Sequence, residues 1–291
     1  MRQITIEGGV ESLNLFDGKD IFERIGNIQG IASGYNVALS YLPYSATTST
    51  HIGGRNPEHT KQQFLALVDD MNQRGIDVIY ALNGGIGHPS LIPLDTDEKE
   101  IFAHMDSNNR WGSSNKVVLA DYRLFDPIRQ TYDVEIIASC IQQFDKKNAE
   151  SYLDKLQKYD YVVPLNHHST INFLRQYGKY AAKLIVFLAN ACGSPFIETC
   201  ALDHFFMERR ISSAPQSSAA FTYEGVRQII PNQLRPEEHG CKTDSAMLIN
   251  REHDLEGLVG VGVPHFKVIR TEELKPGHLI RLLEVVQKLA A

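Results

Sequence analysis

Thr60-Lys61-Gln62-Gln63-Phe64-Leu65-Ala66-Leu67-Val68-Asp69-Asp70-Met71-Asn72-Gln73-Arg74-Gly75-Ile76-Asp77-Val78-Ile79-Tyr80-Ala81-Leu82-Asn83 is the stretch whose reading decides the fold. From Thr60 to Arg74, Phe64, Leu65, Leu67, Val68 and Met71 recur at the spacing of one helix face. Gly75 follows directly, where a C-terminal cap needs a residue free to take positive φ. Asp77 to Asn83 is then a near-continuous apolar run, the pattern of a strand covered on both faces. A helix that hands over to such a strand through one glycine is half of a βαβ unit.

The same alternation extends in both directions. A strand is expected within Ile31–Leu42, before the helix, and others at Lys116–Asp121, Val134–Ser139, Tyr161–Leu165, Lys183–Leu188 and His265–Arg270. Helices are expected over Tyr122–Gln130, Asn148–Lys158, Ser169–Tyr177 and Gly277–Leu289. These are seven strands, with Gln233-Leu234 as candidate for one more, in the seventh place. Strands that alternate with helices require crossovers and a parallel sheet. Eight of them close a (β/α)8 barrel of the TIM type, read here as one domain over residues 1–291. An open doubly wound sheet is the alternative, but no glycine-rich nucleotide loop follows the Ile31–Leu42 strand.

Composition narrows the partners. The 291 residues are 43% hydrophobic and 22% charged, with a formal net charge of −6. A mildly acidic chain does not favour nucleic acid, whose phosphates call for clustered Lys and Arg. No apolar stretch of about 18 residues is present, so no membrane span is expected. Met1 to Gly9 has no apolar signal core, which places the chain in the cytoplasm. There the four cysteines, Cys140, Cys192, Cys200 and Cys241, are not expected to pair as disulfides.

In parallel α/β barrels the reacting groups come from the C-terminal ends of the strands and the loops that follow. On this reading Asn83, Asp121, Cys140 and the run Asn166-His167-His168 follow strands, as do Cys192, the group Arg235, Glu237 and Cys241, and finally Arg270. All four cysteines thus map to one rim, which suits a soft metal or an iron–sulfur cluster. Cys192 and Cys200 are separated by seven residues, too many for a structural zinc knuckle. The alternative is four buried small hydrophobes. His167 and His168 read either as an acid/base pair or as the cap of the helix they precede. His204, one helical turn beyond Cys200, is a surface group, a supporting group or a ligand. Asp121 and Glu237 read as catalytic carboxylates, or as ion-pair partners of Arg235 or Arg270. The polar run Ser45–Arg55 reads as a lid hinged at Gly53-Gly54, with Arg55 reaching an anion, or as a plain loop.

An ordered set of segments resembles a known family: Gly53-Gly54-Arg55, Gly75 to Tyr80 leading to Asn83, Ile136-Ile137-Ala138-Ser139, Val162-Val163-Pro164-Leu165, Asn190-Ala191-Cys192 with Cys200 and His204, Leu234-Arg235-Pro236-Glu237, and Phe266-Lys267-Val268-Ile269-Arg270. Together they look like the collagenase-like peptidase family, unassigned peptidase family thirty-two. Ala201-Leu202-Asp203 stands where that family carries an arginine. The resemblance implies a (β/α)8-like barrel. It also implies, from members tied to oxygen-independent hydroxylation of a quinone precursor or of RNA bases, a 4Fe–4S cluster on four cysteines. Cys192 and Cys200 match that pattern best.

The expected activity is therefore iron–sulfur-dependent hydroxylation or related redox chemistry on a small-molecule or nucleobase-like substrate. Arg55, Arg235 and Arg270 would grip an anionic group, with Asn83 and Asn166 beside them, while His167 or His168 moves protons. Two alternatives stand. One is a hydrolase using zinc or another metal, although neither HExxH nor GxSxG occurs in the chain. The other is a non-catalytic barrel that binds a protein partner or a second copy of itself.

Overall fold

The computed structural model describes residues 2–7, 21–37, 60–82, 94, 96–119, 121–139, 152–163, 178–189, 257–268, 284–285 and 287–288. Its centre is an eight-stranded sheet in which every pairing is parallel. The strands are β1 (Arg2–Glu7), β2 (Ile31–Val37), β3 (Ile76–Leu82), β4 (Lys116–Leu119), β5 (Glu135–Ala138), β6 (Tyr161–Val162), β7 (Ile185–Ala189) and β8 (His265–Val268). Their order is β6-β5-β4-β3-β2-β1-β8-β7. A parallel bridge between Val162 and Leu184, the residue before β7, joins the two ends into a barrel.

The helices are α1 (Ile21–Gly26), α2 (Lys61–Gln73), α3 (Thr96–Arg110), α4 (Phe125–Thr131) and α5 (Tyr152–Lys158), each lying between consecutive strands. The segment quoted at the outset folds as its pattern requires. A capping box opens α2: Thr60 Oγ1 accepts from the Gln63 amide at 3.3 Å, and the Gln63 side chain accepts from the Thr60 amide at 2.9 Å. Phe64, Val68 and Met71 form its buried stripe. Gly75 then takes φ +73° and its amide bonds to the Asn72 carbonyl, turning the chain into β3.

Alternation along the strands makes two cores. Outward residues such as Ile4, Tyr35, Val78, Tyr80, Val117 and Phe266 pack beneath the helices. Inward residues Ile79, Ala81, Val118, Ile137, Val163 and Ile185 fill the barrel. The interior is tight. A Cβ on Gly34 of β2 would stand 3.0 Å from Thr5 Oγ1 and 3.5 Å from both Gln3 Nε2 and Ile79 Cδ1. The central void measures only about 10 Å³, room for about one water.

Three expectations change. The eighth strand is β1, whose Gln3-Ile4-Thr5-Ile6 alternates polar inward with apolar outward. β7 pairs directly with β8, and each of the described strands has a neighbour on each side. The candidate strand at Gln233-Leu234 lies outside the described residues, as does the helix expected over Ser169–Tyr177. Second, α1 and α3 were not foreseen; α3 buries only Ile101, Phe102 and Met105 among its apolar residues, a stripe thin for fifteen positions. Third, β4 ends at Leu119, and Asp121 caps a 3-10 turn, Tyr122–Leu124, that leads into α4. Among the described residues, no helix is long and apolar enough to cross a membrane.

Candidate functional site

The two mouths of the barrel differ in chemistry. At the N-terminal mouth, the first inward residue of several strands is polar: Gln3, Asp77, Lys116, Glu135, Tyr161 and His265. Lys116 is the hub, only 3% exposed. Its ammonium lies 3.0 Å from Glu135 Oε2 and 3.4 Å from Asp77 Oδ2, and donates to the Ser114 carbonyl at 2.8 Å. Asp77 also accepts from Gln3 Nε2 at 2.7 Å and from the Ser114 amide at 3.1 Å. Glu135 also accepts from Ser114 Oγ at 3.1 Å and from the Tyr161 hydroxyl at 3.2 Å. All four carboxylate oxygens are therefore engaged, as a buried ionic cluster demands.

Burial, with the charge of Glu135 beside it, raises the Tyr161 hydroxyl well above the ordinary tyrosine range and keeps it a donor. The His265 ring packs edge-on against Tyr161, centroids 4.5 Å apart. Burial and the neighbouring Lys116 ammonium push its imidazole down to about 4, against a weaker opposing pull from Glu135. This floor is neutral at the histidine and internally bonded at its charges. It closes the barrel from below, the end where polar groups in such barrels serve stability.

Sequence reasoning missed the floor. Its signal was present, however: Asp77, Lys116, Glu135, Tyr161 and His265 each stand two residues before the next inward side chain. A polar residue that opens an apolar strand on the inward parity marks the end layer of a barrel.

At the C-terminal mouth, Asp121 is the candidate residue that the structure describes. It is 2% exposed, and its Oδ1 accepts from the Arg123 amide at 3.0 Å. The Arg123 guanidinium pairs with both carboxylate oxygens, its Nε at 2.9 and 3.0 Å and its Nη2 in a further short contact. The partner anticipated for Asp121 was Arg235 or Arg270; the one found is Arg123, two residues on. A second carboxylate, Glu98, is fully buried in the first turn of α3, where the helix dipole favours negative charge. No expectation covered it.

His167, His168, Glu237, Arg55, Asn83, Asn166, Arg235, Arg270, Cys140, Cys192, Cys200 and Cys241 lie outside the described residues, as do His204 and the Ser45–Arg55 run. Among the described residues, no group of three or more His, Cys, Asp or Glu side chains could hold a metal ion. Arg235, Glu237 and Cys241 were placed at or after the candidate strand at Gln233-Leu234, which itself lies outside the described residues.

No family model matches the chain, and no curated protein matches it. Among solved structures, that of the U32 peptidase Mk0906 is similar at a TM-score of 0.43 and 12% sequence identity, over 93% of each chain.

Proposed function

We propose that this chain is an enzyme whose reacting groups gather at the C-terminal mouth of the barrel, where Cys140, Cys192, Cys200 and Cys241 hold a 4Fe–4S cluster. The observation that carries the reading is the closed parallel ring with its bonded floor, which leaves the opposite mouth as the end open to chemistry. Chain connectivity supports it. Cys140 is the residue after Ser139, itself next to β5, and Cys192 follows β7 by three residues. Cys200 and Cys241 belong to the connection that leaves the same end of β7. The donor set fits the group, since four thiolates are the common ligands of such a cluster. When bound, the cluster supplies one-electron redox chemistry.

The chain's own residues do the rest. Asn83 follows β3 directly, the Asn166-His167-His168 run begins three residues beyond Val163, and Arg270 follows β8 by two. In this proposal His167 or His168 carries the proton, while Asn83 and Asn166 hydrogen-bond the substrate. Arg55, Arg235 and Arg270 grip an anionic group, and Glu237 does acid/base work. Asp121, bonded to Arg123, orders the turn after β4 and sets the shape of the mouth. The reaction class is oxygen-independent hydroxylation, or related redox chemistry, on a small-molecule or nucleobase-like substrate.

The test is anaerobic purification with iron and acid-labile sulfide analysis. Wild type should contain both, and Cys192→Ala or Cys200→Ala should lose most of each. Stoichiometric zinc without iron would replace the reading with a metal-dependent hydrolase. A chain with neither metal would leave a barrel that binds a partner.

A further inference from the structure

We infer that a cleft at the N-terminal end of the barrel binds a small organic anion, its carboxylate or phosphate head on the Arg2 guanidinium and its apolar body on Val259, Val263 and Pro264. The cleft lies where β1, β2 and β8 begin, lined by these four residues with Gly30 and Gly262. Its volume of about 350 Å³ is that of a small-molecule site. The inference does not depend on the cluster, because the lining stands at the opposite end of the strands from the mouth assigned to it.

Arg2 carries the argument. Its neighbour Gln3 faces the floor and donates to Asp77, so Arg2 takes the other parity, with Ile4 and Ile6, outside the ring. That separates it from the floor carboxylates. Among the described residues the half-buried guanidinium has no ion pair and no hydrogen bond, and it is the one charged group in the lining. A cation held against valine and proline walls without a counter-charge costs desolvation, which a bound anion offsets. The guanidinium fork matches a carboxylate or a phosphate. The Gly30 amide donates to no backbone carbonyl among the described residues, so the same cleft offers a second donor.

The frame is already built. The Arg2 amide donates to the Gly30 carbonyl at 3.1 Å and the Gln3 amide to the Pro264 carbonyl at 2.9 Å, tying the three strand starts together. The Gly262 amide donates to the Val259 carbonyl at 2.9 Å, which closes the turn before β8. Gly30 and Gly262 take φ +83° and +90°, and a Cβ on either would meet nothing within 4 Å, so the cleft is open above both. A ligand therefore meets a surface that needs little ordering. The apolar walls lower the local dielectric and strengthen the pairing of its head with Arg2.

The probes are benzoate, phenyl phosphate and inorganic phosphate, titrated calorimetrically into the full chain. Wild type should bind benzoate or phenyl phosphate with a Kd of about 1 mM or tighter, and inorganic phosphate several-fold more weakly, for want of an apolar body. Arg2→Met should weaken binding about tenfold or more, the loss of a charge-assisted pair. Arg2→Lys should retain part of it, and Lys99→Gln, exposed on α3, should change nothing. If Arg2→Met does not fold, phenylglyoxal labelling of wild type mapped by mass spectrometry gives the same answer: the bound anion should slow modification of Arg2 several-fold while Arg110 reacts as before. The inference is overturned if neither aromatic anion binds, if inorganic phosphate binds as tightly as they do, if folded Arg2→Met binds as wild type does, or if Arg2 is not protected.

Discussion

Lys116→Met tests whether the ionic floor holds the barrel together. The substitution keeps the stem and removes the ammonium, which now serves Glu135 at 3.0 Å, the Ser114 carbonyl at 2.8 Å and Asp77 at 3.4 Å. Removing one partner of a fully buried ion pair costs about 3–5 kcal/mol, because the other charge is stranded. Here the stranded groups are better placed: the Asp77 and Glu135 side chains are 22% and 37% exposed. Each also retains neutral donors from Gln3, Ser114 or Tyr161. The expected loss is therefore about 2–3 kcal/mol, within the range for charge-assisted hydrogen bonds. Urea unfolding followed by circular dichroism measures it, and Tm should fall by roughly 4–10 °C. Combining Lys116→Met with Asp77→Asn should cost about 1 kcal/mol less than the sum of the single changes, since they share one contact. A loss below about 0.5 kcal/mol for Lys116→Met, with full additivity in the pair, would refute the idea that the floor secures the N-terminal mouth.

Three further outcomes follow from the same structure. His265 is held neutral, its folded pKa of about 4 lying below the unfolded value of 6.5, so the unfolded chain binds the extra proton first as pH falls. Its contribution, up to about 3 kcal/mol, is complete above pH 6.5 and lost on descent towards pH 4, and His265→Phe should flatten that limb of the stability profile. Gly34→Ala should destabilise by about 1–3 kcal/mol in urea, because its Cβ would press on Thr5 Oγ1 at 3.0 Å; an unchanged midpoint would mean that the interior yields easily. Asp121→Asn should lose about 1–2 kcal/mol by weakening the paired contact with Arg123, and a variant as stable as wild type would reopen Asp121 to a role unconnected with that arginine.

Much of the barrel was legible because its strands are apolar on both parities and its helices carry punctuating residues. Thr60, Gln63 and Gly75 each announce a terminus that the structure realises. What escaped did so for physical reasons. β1 alternates Gln3-Ile4-Thr5-Ile6, since its inward side chains meet the floor and the layer that holds Lys267 while only its outward ones are fully apolar. It therefore lacks the continuous run that marks β3. α3 is polar because its Asn108 and Asn109 reach Asn72 and the Asn115 carbonyl, a hydrogen-bonded seam that replaces part of an apolar stripe. The floor residues were hidden because an ion-pair hub is a property of the closed ring: Asp77, Lys116 and Glu135 are adjacent only once β3, β4 and β5 pair. Asp121 was picked out as a rim carboxylate, but its pairing with Arg123 depends on a 3-10 turn that periodicity does not reveal.

The measurement that bears most directly on the account is the iron and acid-labile sulfide content of the anaerobically purified chain, beside Cys140→Ala, Cys192→Ala, Cys200→Ala and Cys241→Ala. The account predicts about four irons and four sulfides per wild-type chain, a broad absorption near the visible blue, and loss of most of both in each variant with the fold retained. Wild type without iron or sulfide, or four variants that keep the full complement, would contradict it.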